Sequence, residues 1–132
     1  MQESTARLTG QTKVVALIGD PVEHSLSPAM QNAAFAAQGL DWAYVALPVK
    51  AQDVGAAVAG LRALGFQGAN VTMPHKAAVI PHLDAVAPGA RLIGAVNTIV
   101  RQGDRLVGED TDGQGFIRAL REKVGLEPRG RR

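Results

Sequence analysis

Cysteine is absent from the chain, and that absence removes disulfides, thiolate metal sites and cysteine nucleophiles at once. It accords with a reducing compartment, and the expected location is the cytoplasm. Aromatic residues are scarce, at 4% of the composition, and no apolar run approaches the ~20 residues that a membrane-spanning helix needs. The stretch from Met1 to Lys13 is polar and has no separate apolar segment ahead of a small-residue cleavage site, so no export signal is read. Positive charge is slight as well. The sequence pI is near 9.4, but the formal net charge is only +2, and Arg129, Arg131 and Arg132 supply three of the positives, leaving −1 for the rest. A basic tail without interleaved aromatics is a poor nucleic-acid surface. Neither nucleic acid nor a membrane is expected as a partner.

What is present is the balance of an ordinary globular domain, with 132 residues, 46% hydrophobic and 20% charged. A chain of that length is one domain and buries roughly two-thirds of its unfolded surface. Val14-Val15-Ala16-Leu17-Ile18-Gly19 is a continuous apolar run closed by glycine, the pattern of a strand covered on both faces of a parallel sheet. Residues 19–26 read as a loop, and Ser27-Pro28 opens a helix with serine as cap and proline at the first helical position, running to about residue 38 before Gly39. Residues 42–48 alternate and predict a second strand. Val54, Val58, Leu61 and Leu64 recur at helical spacing, so residues 53–64 predict a second helix closed by Gly65. Residues 66–72 are the third strand.

After Lys76 the pattern predicts two short helices, over 77–80 and about 83–87, divided at Pro81, with Pro88 and Gly89 as punctuation. Residues 94–100 predict a strand, Gln102-Gly103-Asp104 a tight turn, and residues 105–108 a hairpin partner returning antiparallel. A final helix is expected over about 112–124, capped by Asp110 or Thr111, and residues 125–132 read as a linker. Strands alternating with helices imply α/β architecture: a three-layer α/β/α sandwich around a mainly parallel mixed sheet with one antiparallel hairpin strand.

The chemistry concentrates in Asn70-Val71-Thr72-Met73-Pro74-His75-Lys76. Pro74 removes a ladder donor and biases Met73 away from the helical region, so a strand should end here. Carboxyl ends of strands are where open α/β sheets place ligands. Asn70 and Thr72 share one face of an extended chain and suit hydroxyl recognition, with Lys76 supplying charge or a proton. At the start of the first helix, Ser25 and Ser27 flank free backbone donors and the positive dipole end, a setting that favours a carboxylate. Other patterns fail. Gly113-Gln114-Gly115 would need a third glycine where Arg118 stands, and no phosphate loop exists, so the chain offers no cofactor-binding residues of its own. The calcium-like run from Asp110 has Arg121 where a bidentate glutamate belongs. His24, His75 and His82 lack metal-ligand spacing and read as surface residues or as supports behind a site; no metal is expected.

Four segments in order, His24-Ser25-Leu26-Ser27-Pro28, residues 70–76 above, Gly94-Ala95-Val96-Asn97-Thr98 and Gly108-Glu109-Asp110-Thr111-Asp112-Gly113, resemble the substrate-binding domain of shikimate dehydrogenase, over residues 14–124. The resemblance implies NADP-dependent interconversion of 3-dehydroshikimate and shikimate. It implies Ser25 and Ser27 as carboxylate holders, Asn70, Thr72, Asn97 and Asp112 as partners of the ring hydroxyls and reacting oxygen, and Lys76 with Asp112 as the catalytic pair. It further implies a domain over residues 1–124, a linker from 125 to 132, and NADP(H) held mainly by a Rossmann-type domain that this chain does not include. Without that domain, residues such as Phe116, Ile117 and Leu120 would form an apolar patch through which a homodimer would assemble. Gln31 and Asp110 stand where the family usually carries histidine and asparagine, and Asp110 sets a like charge beside Asp112, which raises a carboxyl pKa. Two other readings remain at this point: a quinate- or aminoshikimate-using dehydrogenase, and a shikimate-binding module without catalysis.

Overall fold

The computed structural model describes residues 8–111; the expected final helix and linker lie outside the described residues. Six strands form one sheet in the order β2-β1-β3-β5-β6-β4. They are β1 (Lys13–Gly19), β2 (Trp42–Pro48), β3 (Gly68–Val71), β4 (Ala85–Val86), β5 (Thr98–Gln102) and β6 (Arg105–Glu109). Helices α1 (Ser27–Ala37), α2 (Val54–Ala63) and α3 (Pro88–Ile93) connect them. β1 pairs in parallel with both β2 and β3, β4 with β6 in parallel, and β5 runs antiparallel to both neighbours. The sheet is therefore mainly parallel with one reversed strand. That strand is β5, the first arm of the hairpin, whereas β6 points with the rest.

Alternation along β1 assigns the two faces. Ala16 and Ile18 join the larger core with Val54, Val58 and Leu61 of α2 and with Val71, Val79, Val96, Ile99 and Leu106. Leu17 points the other way and packs with Tyr44, Val22 and the half-buried Val15, Phe35 and Ala46. Burial on both faces is what a continuous apolar run demands. α2 buries its stripe at 54, 58 and 61, while α1 buries no residue completely; its Phe35 ring leans on Trp42 at 5.7 Å. Three layers follow: α2 and α3 on one side, α1 on the other.

Gly39 and Gly65 end α1 and α2 as expected, each with a positive φ (68° and 74°) that a side chain would resist. Two expectations fail between residues 77 and 93. Residues 77–82 form turns and a single 3-10 turn, Ile80–His82, and the segment read as a second short helix holds the edge strand β4 instead. Helix α3 begins at Pro88, so that proline opens an element where it was read as punctuation. β3 is also shorter than the 66–72 span expected, and β5 starts at Thr98, four residues late. On the outer edge, Asn32 of α1 grips the Tyr44 main chain twice: its Nδ2 donates to the Tyr44 carbonyl at 2.9 Å, and its Oδ1 accepts the Tyr44 N–H at 2.8 Å.

Candidate functional site

β1 and β3 lie side by side, with Ile18 paired to Val71, so their carboxyl ends open at one place. Beyond them the two loops stay stitched together. Thr72 N–H donates to the Ile18 carbonyl (2.9 Å) and Asp20 N–H to the Met73 carbonyl (3.1 Å). Gly19 permits this approach, because a Cβ there would stand against Cγ2 of Thr72, well inside van der Waals contact. The peptides before Pro21 and Pro74 are both cis.

Ser25, Ser27, Thr72 and His24 line a cavity of about 300 Å³ floored by Leu17 and Val22. That volume is at the small end of the range for small-molecule sites. The helix start is built differently from the expectation: Ser27 is already helical, Leu26 occupies the cap, and the Ser25 hydroxyl accepts the Ser27 N–H at 3.1 Å. Ser25 thus satisfies a helix-end donor, and the Ser27 side chain is close enough to the Tyr44 phenol to act on its pKa. Tyr44 is buried, and burial raises its phenol pKa while the Ser27 hydrogen bond opposes the rise. The phenol is consequently protonated at neutral pH.

Tyr44 in turn donates to Asn70 Oδ1 at 2.8 Å. Asn70 Nδ2 makes two long contacts of 3.4 Å, to the Asn97 carbonyl and to Thr98 Oγ1. Asn97, itself buried, receives the Thr98 hydroxyl at Oδ1 (2.9 Å) and the Thr111 N–H at the same atom (3.0 Å), while its Nδ2 donates to Thr111 Oγ1 (3.0 Å). A hydrogen-bonded chain therefore runs from Tyr44 through Asn70, Thr98 and Asn97 to Thr111. Lys76 is brought to the same end, since its carbonyl accepts the Val96 N–H at 2.8 Å, one residue from Asn97. Asp112, the expected partner of Lys76, lies outside the described residues, and so does any effect on it of Asp110, which is 9% exposed.

Of the predicted residues, Ser25, Ser27 and Thr72 share one cavity, and Asn70 and Asn97 belong to the network beside it. Tyr44, Thr98 and Thr111 complete that network. Tyr44 was read only as a strand residue, although a tyrosine in the alternating run could have been placed on the inward face with Asn70 had the strand order been known. A somewhat larger cavity, about 320 Å³, lies under α1 between Phe35, Trp42 and Val100. Its surface is chiefly apolar, but Tyr44, Asn70 and Thr98 of the network line it, and none of those three lines the serine cavity. His24 and His82 are exposed, whereas His75 is buried behind the site. Its Nε2 lies 2.5 Å from the Val49 carbonyl; a carbonyl only accepts, so Nε2 carries the proton. Among the described residues no three or more His, Cys, Asp or Glu side chains are grouped to hold a metal ion, and no helix is long and apolar enough to cross a membrane.

Comparison with known proteins gives consistent matches. A family model described as the shikimate dehydrogenase substrate binding domain matches residues 17–99. A shikimate dehydrogenase (NADP(+)) of Geobacter metallireducens is 61% identical over 125 residues, which is 95% of this chain and 44% of the relative. Among solved structures, shikimate 5-dehydrogenase of Listeria monocytogenes, in complex with shikimate and NAD, is 45% identical at a TM-score of 0.86, covering 94% of this chain and 43% of that one. The ligand-free 5-ketofructose reductase of Gluconobacter sp. strain CHM43 is 37% identical at a TM-score of 0.83, covering 94% and 44%. This chain spans less than half the length of each.

Proposed function

The chain belongs to the family of shikimate dehydrogenase substrate binding domains, and on that premise we propose that it is the substrate-binding and catalytic half of an NADP-dependent dehydrogenase interconverting 3-dehydroshikimate and shikimate. The observation that carries the reading is the convergence of the Ser25, Ser27 and Thr72 side chains on one small cavity beside the Asn70–Asn97 network. Ser25 and Ser27 hold the ligand carboxylate near the positive end of α1. Asn70, Thr72, Asn97 and Asp112 meet the ring hydroxyls and the reacting oxygen. Residues 1–124 make up this domain and 125–132 lead out of it. The chain has no dinucleotide fingerprint, and we assign NADP(H), which supplies the hydride, to the length of such enzymes that this chain does not span.

The role of Lys76 follows from charge. Reduction of a ketone builds negative charge on its oxygen, and an ammonium beside that oxygen stabilises it and donates the proton, an effect worth ~10²–10⁴ in rate. A carboxylate at Asp112 keeps the lysine charged and oriented. In an enzyme containing this chain, Lys76→Ala is expected to lower kcat by about that factor, with a much smaller change in KM.

The direct test is calorimetric titration with shikimate at neutral pH, run on the chain and on its Ser25→Ala variant. Saturable binding that weakens clearly in the variant supports the carboxylate site. No binding to the folded chain overturns a preformed site in this domain. Quinate and 5-ketofructose, run as competitors, separate the substrate readings, since the latter has no carboxylate for Ser25 and Ser27 to hold.

A further inference from the structure

The last residue of β1 is a glycine for a reason that its own backbone does not supply. Gly39, Gly65, Gly94 and Gly103 have positive φ, whereas Gly19 does not, so alanine could adopt its conformation without strain. The neighbouring atoms decide instead. A Cβ on residue 19 would overlap Cγ2 of Thr72 and stand 3.1 Å from both Val22 Cγ1 and the Met73 carbonyl oxygen. The Thr72 methyl thus lies in a notch that the missing side chain leaves open, with the buried Val22 as one wall. Hydrogen bonds on either side of the notch, from Thr72 N–H to the Ile18 carbonyl and from Asp20 N–H to the Met73 carbonyl, hold the two backbones together.

The methyl and the hydroxyl of threonine share one Cβ in a fixed chirality, and χ1 has three staggered wells. Seating the methyl selects the well and therefore sets the direction of the hydroxyl. Among the described residues the Thr72 hydroxyl has no hydrogen-bond partner, and no buried polar side-chain atom is left without one. This oxygen is consequently reachable by solvent, and the space that half-buried Thr72 borders is the serine cavity. We propose that Gly19 is a positioning residue: the notch it leaves seats the Thr72 methyl, and so holds the Thr72 hydroxyl in one direction, toward the cavity.

The identity of the ligand rests on the function proposed above, but the seating of the methyl is a property of the unliganded chain. A hydroxyl with no protein partner meets a ligand oxygen as donor or acceptor without first breaking a bond. Threonine and serine are then unequal at this position. Serine keeps the hydroxyl and loses the methyl, so all three wells open and the hydroxyl faces the ligand about a third of the time.

In the 13C,15N-labelled chain, the three-bond couplings from Thr72 Cγ2 to its own N and C′ report χ1. The unaltered chain is expected to give the values of a single rotamer, and Gly19→Ala is expected to change them. Averaged couplings in the unaltered chain, or the same couplings in both proteins, overturn the proposal. By calorimetry, Thr72→Ser is expected to weaken shikimate Kd about threefold; full affinity in that variant also overturns it. If the unaltered chain binds no shikimate, the functional reading falls and the couplings still decide the role of Gly19. In urea unfolding, Gly19→Ala is expected to lower the midpoint, and adding Thr72→Ser to restore part of the loss, because the methyl gained at 19 takes the place of the one removed at 72. Should Gly19→Ala alone fail to fold, recovery of folding in the double variant supports the notch, and absence of any recovery overturns it.

Discussion

The two faces of the sheet are made by the same strands and have opposite characters. Toward α2 the side chains of Ile18, Val58, Val79, Val96, Ile99 and Leu106 are sealed to 1% exposure or less. Toward α1, among the described residues, the buried apolar cluster is Leu17, Val22 and Tyr44 alone, and the positions nearest the strand ends are Asn70, Thr72 and Thr98. In β3 the change happens within one strand, where Ala69 and Val71 turn to the closed face and Asn70 to the open one. Cohesion and recognition are thus divided by residue parity: one face holds the strand ends still, and the other is left polar enough to bind something.

That division can be broken from either side. The largest effect is expected from Leu106→Ala, which opens a cavity in the sealed face and should cost about 2–5 kcal/mol in urea unfolding. Next comes Gly19→Ala, where the new methyl displaces Thr72; a cost of about 1–3 kcal/mol should be accompanied by loss of shikimate affinity, which Leu106→Ala in the folded state should leave nearly intact. Phe35→Ala deletes a larger side chain than Leu106→Ala, but from the open face, and should cost only about 1–2 kcal/mol. An equal cost for the two would mean that the faces are not divided.

The smallest effect concerns the rim of the closed face, where Asp84 Oδ2 accepts from Arg62 Nη1 at 2.6 Å and from the Leu106 N–H at 2.7 Å. The Arg62 hydrogen bond, then the Leu106 amide, hold this carboxyl below the usual range. A depressed folded pKa stabilises the fold fully above the unfolded value and is lost as pH falls through the folded one. Asp84→Asn should therefore flatten the acid-side decline in urea midpoint as pH falls through and below the ordinary carboxylate range, with little change in the pH response above it.

How much of this was visible in the residues depended on how far apart the deciding contacts lie. β1, β2, α1 and α2 were legible because their apolar periodicity and their glycine stops are local. β4 was not: Ala85 and Val86 become a strand only through pairing with Val107 and Gly108, and a short apolar run does not reveal that. A hairpin likewise shows that two strands oppose each other without showing which one opposes the sheet, and the structure gives that place to β5. In the site, the Ser25–Ser27 and Asn70–Thr72 pairs could be singled out from the helix start and from strand parity, and the resemblance supplied their expected roles. Tyr44 could not, because it reaches Asn70 across β1, which separates β2 from β3 in the sheet. The cap lies one residue earlier than expected, at Leu26 instead of Ser27, because Ser27 has already entered the helix, and the Ser25 hydroxyl accepts the Ser27 N–H.

The grip of Asn32 on Tyr44 also bears on what this chain can do beside copies of itself. β2 is an outer strand, and in such a strand alternate residues offer their N–H and C=O to whatever lies alongside. Tyr44 has both groups occupied by an asparagine side chain that stands in for a neighbouring strand, and Pro48, of the same parity, has no N–H to give. The row of vacant partners is interrupted at its middle and at its end. Growth of the sheet from molecule to molecule along this border is discouraged by one helical amide, the same one that keeps the Tyr44 backbone in place.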